Sequence, residues 1–200
     1  MNIENLFEII NKFKQIKILV IGDIIVDEYI WGQASRLSPE APVPVLEAKN
    51  STYILGGAAN VANNIVALGG HAILAGCVGD DINANVVFDL ANKAGIDTRA
   101  ILKDSNRPTT VKTRLIAHNH QQLARIDREV RTSIHLDIKN EFINKLSGIL
   151  NEVDLIVLSD YAKGVLTPEL ISDIIAISNK PIMVDPKGLD FDKYKGVTLI

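Results

Sequence analysis

The run from Gly56 to Gly70 constrains what this chain can fold into more than any other stretch. Two adjacent glycines, Gly56 and Gly57, open a segment in which Ala58, Val61, Ala62, Ile65 and Gly69 fall on one helical face, while Asn60, Asn63 and Asn64 share another. Gly69-Gly70 stops it. The spacing therefore predicts a helix entered through a tight glycine turn, with backbone N–H groups and the positive dipole end facing whatever lies before it. Such a start suits an oxygen-rich or anionic ligand, and the Asn60 amide adds one donor and one acceptor, as a sugar hydroxyl requires. The plainer alternative is a helix that needs glycines only to leave a strand.

Around this helix the chain alternates between two textures. Lys17–Gly22, His71–Val78, Asp154–Leu158 and Pro181–Val184 read as buried parallel strands, and Ile82–Lys93, Ser133–Leu150 and the segment opened by Thr167-Pro168-Glu169 as helices. A shorter helix is expected over Leu6–Phe13 and a short strand over Ala100–Leu102. Repeated strand–helix units imply an α/β fold with a parallel sheet covered on both faces. The second texture has no helical period. Tyr29–Trp31, Val43–Glu47 and Tyr53–Leu55 alternate between Ser, Pro and Gly, and Thr109–Ile116 and Gln122–Asp127 form a hairpin pattern. These pieces predict a small sheet that must lean on the main domain or on a second copy.

Ionisable residues cluster at the strand exits, where open α/β sheets bind ligands: Asp23 and Asp27, Asp80 and Asp81, Asp160 and Lys163, Asp185 and Lys187. Each alone could be a turn former. Asp27 lies among Ile24, Ile25, Val26 and Tyr29, where a carboxylate needs a partner, which favours a ligand contact. Arg36, expected on a loop beside the small sheet, and Lys112, Arg114 and Arg125 on the hairpin are candidate anion contacts or solvated edge charges.

The remaining composition mostly excludes. A net charge of −3 gives no footprint for nucleic acid, and no apolar run approaches membrane-spanning length. Met1–Lys17 lacks the pattern of a secretory signal, so a cytoplasmic protein is expected. Cys77 sits in an apolar run as a small buried hydrophobe; His118 and His120 stand in a polar turn without partners for a metal site.

With these residues in hand, the chain resembles the ribokinase-like (PfkB) carbohydrate kinases, in the spacing of Gly56, Gly57, Asn60, Gly69 and Gly79. Within that family Ser35–Val45, Asn119–Asp127, Leu158–Gly164 and Val184–Gly188 are similar to the kinase part of the bacterial heptose 7-phosphate kinase / ADP-heptose synthases. The resemblance runs from about Lys17 to Ile200. It implies a three-layer α/β/α fold with a mostly parallel central sheet and a small β-sheet lid, formed by segments 29–55 and 107–127 inserted in a single kinase domain over 1–200. It also implies transfer of a phosphoryl group from ATP, with Mg²⁺, to the anomeric hydroxyl of D-glycero-D-manno-heptose 7-phosphate. Asp27, Gly56, Gly57 and Asn60 would bind sugar hydroxyls, and Arg36, Lys112, Arg114 and Arg125 are candidates for the 7-phosphate. Asp160, Lys163, Asp185 and Lys187 would face the phosphoryl-transfer region, and the lid would build a homodimer.

The family's Gly-Ala-Gly-Asp, whose aspartate is the base, and its Asn-x-x-Glu metal element are expected beyond Ile200, and no Gly-x-Gly-Asp occurs in these 200 residues. The C-terminal part of the fold is therefore expected to be missing, with no catalytic base or metal ligand present and at most trace activity from this chain alone. Two other readings compete. A dinucleotide-binding oxidoreductase would need Gly-x-Gly-x-x-Gly, which Gly56-Gly57-Ala58-Ala59-Asn60 does not supply. A non-catalytic sugar-phosphate-binding or dimerising fragment would bind sugar without a tight ATP site.

Overall fold

A computed structural model describes residues 3–200. The apolar runs read as buried strands form a five-stranded sheet: β1 (Lys17–Gly22), β4 (His71–Val78), β5 (Asp97–Lys103), β8 (Leu155–Ser159) and β9 (Ile182–Asp185), in the order β5-β4-β1-β8-β9. Every pairing among these five is parallel. Such strands need both faces covered, and alternate side chains enter two separate cores. Leu19, Ile21, Ile156 and Leu158 pack with Phe142 and Leu146 of α4 (Leu136–Ser147) and with Leu170, Ile171 and Ile174 of α5 (Pro168–Ile177). Val20 and Leu74 pack with Ala58, Ala59 and Ala62 of α2 (Ala58–Ala67) and with Ala84, Val87 and Ala91 of α3 (Ile82–Ala94). The expected three layers are present. The small residues of α2 let it lie close to the sheet, and close approach is what places its start beside the strand exits.

The N-terminal helix α1 spans Ile3–Lys12. Cys77 is buried, and burial pushes its thiol up to about 12. The segment 196–200 is not a full strand; it meets β9 through a single parallel bridge, Met183 to Leu199.

The second texture is larger than expected. In place of short stretches broken by Ser, Pro and Gly, two 14-residue strands, β2 (Ile24–Leu37) and β3 (Pro44–Gly57), pair antiparallel along their whole length. Register shifts at Trp31/Gly32 and at Ala34/Arg36 absorb the irregular residues without ending the ladder. Gly32 has no room for a side chain, since a Cβ there would lie 2.4 Å from the Glu47 carbonyl oxygen. β2 also pairs parallel with β6 (Thr110–Ile116), which forms the expected hairpin with β7 (Gln122–Arg128), giving the order β3-β2-β6-β7. Arg36 is therefore in strand β2, opposite Val45, and not on a loop.

Candidate functional site

The two sheets meet where β1 hands the chain to β2 and β3 hands it to α2, and Asp23 occupies that junction. Its carboxylate is 1% exposed and accepts hydrogen bonds from the backbone N–H groups of Tyr161 (2.8 Å), Lys163 (3.1 Å) and Val165 (3.2 Å). Burial raises its pKa, against the lowering effect of those three bonds. The Asp23 carbonyl accepts from Ala58 N–H at 3.0 Å. Asp23 thus ties the start of α2 to loop 160–165, and its role is structural.

Gly56 and Gly57 are required by crowding as much as by turning. A Cβ on Gly56 would stand 2.3 Å from Asp27 Oδ2, and one on Gly57 would stand 2.3 Å from the Asp23 carbonyl oxygen. Gly57 also has φ 55°, a left-handed backbone that glycine takes without strain. Asp27 is thereby held against the start of α2. Arg114 is its charge partner, the Asp27 hydrogen bond raises the guanidinium pKa, and the Arg114 Cζ lies 5.2 Å from the Tyr29 ring centroid.

In front of this group is a cavity of about 520 Å³, lined by Ile25, Asp27, Ile54, Leu55, Gly56, Gly57, Asn60, Tyr161 and a set of charged side chains. Six of these are cationic, Lys112, Arg114, Arg125, Arg131, Lys163 and Lys187, against the carboxylates of Asp27 and Asp127. Asn60 projects from the first turn of α2 with its side chain exposed. Burial, with the Asp185 and Asp27 carboxylates nearby, pushes the Tyr161 phenol pKa up. One wall thus offers a carboxylate, an amide and a helix start, and the other offers cations. Such a lining can hold a polyol by its hydroxyls and an anion by its charge.

Most of the residues singled out in the sequence come together here: Asp27, Gly56, Gly57, Asn60, Lys112, Arg114, Arg125, Lys163 and Lys187 all line the cavity. Three do not. Arg36 has a side chain 63% exposed and pairs with Glu47 at 3.4 Å, outside the cavity. Asp160 is 4% exposed and accepts hydrogen bonds from Tyr194 Oη (2.6 Å), Lys193 Nζ (2.5 Å) and Ala162 N–H (2.7 Å), so it anchors the chain near residue 194 beneath the loop. Asp185 ends β9 outside the lining. Of the other strand exits, Asp81 caps α3 by accepting from Ala84 N–H at 3.0 Å, and Asp80 pairs with Lys103 at 3.0 Å.

Arg131, Tyr161 and Glu129 belong to the site without a mark of their own in the sequence. Glu129 follows β7, and its carboxylate receives Lys163 Nζ (2.8 Å), Arg131 Nη2 (2.8 Å) and Lys112 Nζ (3.1 Å). Although burial alone would raise it, the bonds from Lys163, Arg131 and Lys112 hold the Glu129 pKa down at about 2. No sequence spacing marks this group, because its members come from β6, the β7–α4 connection and the loop after β8. Among the described residues no group of three or more His, Cys, Asp or Glu side chains could hold a metal ion. Nor, among the described residues, is any helix long and apolar enough to cross a membrane.

Comparison with known proteins matches residues 15–196 to the model of the pfkB family carbohydrate kinases. Bifunctional protein HldE of Helicobacter pylori strain G27 is 48% identical over 187 residues, which cover 92% of this chain and 40% of that protein. Bifunctional protein HldE of Geobacter sulfurreducens is 44% identical over 202 residues, covering 100% of this chain and 40% of that one. The chain therefore spans about 40% of the length of these curated relatives. Among solved structures, ribokinase from Thermotoga maritima superposes with a TM-score of 0.62 at 18% identity, covering 92% of this chain and 58% of the other. Arabidopsis thaliana ribokinase complexed with ribose and ATP superposes with a TM-score of 0.61 at 14% identity, covering 90% and 56%.

Proposed function

This chain belongs to the pfkB family of carbohydrate kinases and has a ribokinase-like α/β fold; from that premise we propose that it selects the sugar for an ATP-dependent kinase acting on the anomeric hydroxyl of D-glycero-D-manno-heptose 7-phosphate, on the way to ADP-heptose and the lipopolysaccharide core. The likeness to the bifunctional HldE proteins supports the heptose substrate. The observation that carries the reading is the cavity itself, in which Asp27, Gly56, Gly57 and Asn60 form one wall and lysines and arginines the other. In a chain whose formal net charge is −3, six cations around one cavity suit a sugar that already bears a phosphate.

In this reading Asp27 accepts hydrogen bonds from sugar hydroxyls, the Asn60 amide both gives and accepts, and the glycines let the sugar reach the start of α2. The second sheet covers the sugar as a lid. In this reading Lys163 and Lys187, both on the cavity wall, face the phosphoryl-transfer region. ATP supplies the phosphoryl group. The 200 residues contain no Gly-x-Gly-Asp, so sugar selection and not the transfer step is assigned to them.

Calorimetry with heptose 7-phosphate tests this. Asn60 is exposed, so Asn60→Ala should leave stability within about 0.5 kcal/mol, while sugar affinity falls about 10-fold through the lost hydrogen bonds. Unchanged affinity would refute the assignment.

The same reading makes the second sheet a dimer surface. Ile126 is 53% exposed and Tyr53 36% exposed; both lie on the side opposite Asp27 and Lys112, in register terms. Ile126→Asp is expected to shift the chain from dimer to monomer in sedimentation velocity without unfolding it. A monomeric parent chain would remove this part of the proposal.

A further inference from the structure

The structure favours one part of the cavity over the others for the phosphate that the substrate brings with it. Of the cations on the wall, Arg114 is engaged by Asp27 and the Tyr29 ring, and Arg125 gives both Nε (2.8 Å) and Nη2 (3.1 Å) to Asp127. Lys112, Lys163 and Arg131 differ, because all three converge on the single carboxylate of Glu129, at 3.1, 2.8 and 2.8 Å. The Glu129 side chain is 9% exposed and does not line the cavity, whereas the three cations do. The carboxylate therefore backs the cations from behind and holds their outward donors toward the open space.

Donor counting points the same way. A lysine ammonium has three N–H donors and a guanidinium five. Lys163 Nζ gives one to Glu129, and Lys112 Nζ gives one each to Asp127 and Glu129. Arg131 gives Nε to Glu129 at 2.9 Å. Beyond Asp127 and Glu129, the other donors of the three cations meet no side-chain acceptor among the described residues. Three cations on one carboxylate leave two positive charges in excess, and counting Arg125 with Asp127 leaves that excess unchanged. A phosphate monoester carries about −1.5 to −2 at neutral pH and presents three acceptor oxygens. It matches the surplus in both charge and acceptors.

We propose that Lys112, Lys163 and Arg131, positioned by Glu129, form the subsite for the substrate's resident phosphate at the junction between the second sheet and the core. This rests on the sugar-phosphate reading above and sharpens it, since it moves the phosphate away from Arg36, Arg114 and Arg125. It also gives Lys163 a task in choosing the substrate. Lys112 comes from the lid sheet and Lys163 from the core loop, so a phosphate bound between them joins the two halves of the cavity. Sugars without a phosphate lack that link and are discriminated against.

The test titrates the full chain with heptose 7-phosphate, unphosphorylated heptose and inorganic phosphate. The parent chain is expected to prefer the phosphorylated sugar. Lys163→Met should lower affinity for heptose 7-phosphate and for inorganic phosphate at least 10-fold and leave unphosphorylated heptose unchanged, and Lys163→Arg should restore most of the loss. Glu129→Gln should lower phosphate affinity several-fold, again without touching the unphosphorylated sugar, a split that a purely structural residue would not produce. Full discrimination retained by Lys163→Met, or tighter phosphate binding by Glu129→Gln, overturns the subsite. If the parent chain binds both sugars equally, the subsite fails while sugar recognition stands. If it binds neither, the proposed function fails with it.

Discussion

At the scale of single residues, the site depends on what is absent from Gly56. Asp27 Oδ2 occupies the place a side chain would take, 2.3 Å from an ideal Cβ. Gly56→Ala must push that carboxylate aside or move β3, and neither is free, because Asp27 is paired with Arg114 and β3 is in register with β2. Overpacking of this kind costs about 1–3 kcal/mol, and the expected outcome is a matching loss in chemical denaturation together with at least a 10-fold loss of sugar affinity. Binding and stability close to those of the parent chain would show that the carboxylate can relocate. That Asp27 needs a partner was legible from its neighbours, since a carboxylate among Ile24, Ile25 and Val26 is poorly hydrated; the sequence favoured a ligand in that role, and the structure supplies Arg114. Asp160 was not legible. Its partners Lys193 and Tyr194 lie more than thirty residues further on, and a buried Asp satisfied at such a distance looks in the sequence like any charged strand exit.

At the scale of elements, helices and buried strands announce themselves through periodicity, and α2 begins and ends where its glycines put it. The second sheet hides its extent. Pro44 opens β3 and Gly32 lies inside β2, each at a place where an edge or a bulge tolerates it, so strands of 14 residues read as fragments. The Glu129 group hides for another reason, being assembled by the packing of β6 against a loop of the core. It has a consequence in acid. The folded Glu129 pKa of about 2 lies below its ordinary 4.5, so the folded state holds its proton less tightly than the unfolded state does. The stabilisation is complete above about pH 4.5 and disappears as pH falls to about 2. Urea denaturation between pH 2 and 6 should show stability declining through that window, and Glu129→Gln should flatten this part of the decline. An unchanged acid limb in the variant would mean that the three cations do not act through Glu129.

At the scale of the whole molecule, the cavity exists because two sheets are held at a fixed separation, and the chain passes between them only at a few places. One is the β1–β2 junction, fixed by Asp23. Another is the β5–β6 connection, where Asp104, 1% exposed, pairs with Arg107 at 3.1 Å. The same guanidinium donates to the carbonyl oxygens of Lys163 (3.2 Å) and Thr132 (2.9 Å), reaching the loop after β8 and the β7–α4 connection. Gly164 lets those two segments touch, since a Cβ there would lie 2.0 Å from the Thr132 carbonyl oxygen. Arg107 therefore braces several crossings at once without lining the cavity. Arg107→Met keeps the bulk of the side chain but leaves the buried Asp104 carboxylate without a charge partner, its bond from Asn106 N–H (2.9 Å) remaining, which costs about 3–5 kcal/mol. Because the brace links the sheets and is not inside either, the loss should not spread evenly. Amide hydrogen exchange in Arg107→Met is expected to quicken first in loop 160–165 and in β6 and β7, with β1 and β4 still protected, and heptose 7-phosphate should bind more weakly although every cavity-lining residue is intact. Uniformly faster exchange throughout the central sheet would instead mean that the two sheets unfold as one unit, and that their separation is set by the core and not by this brace.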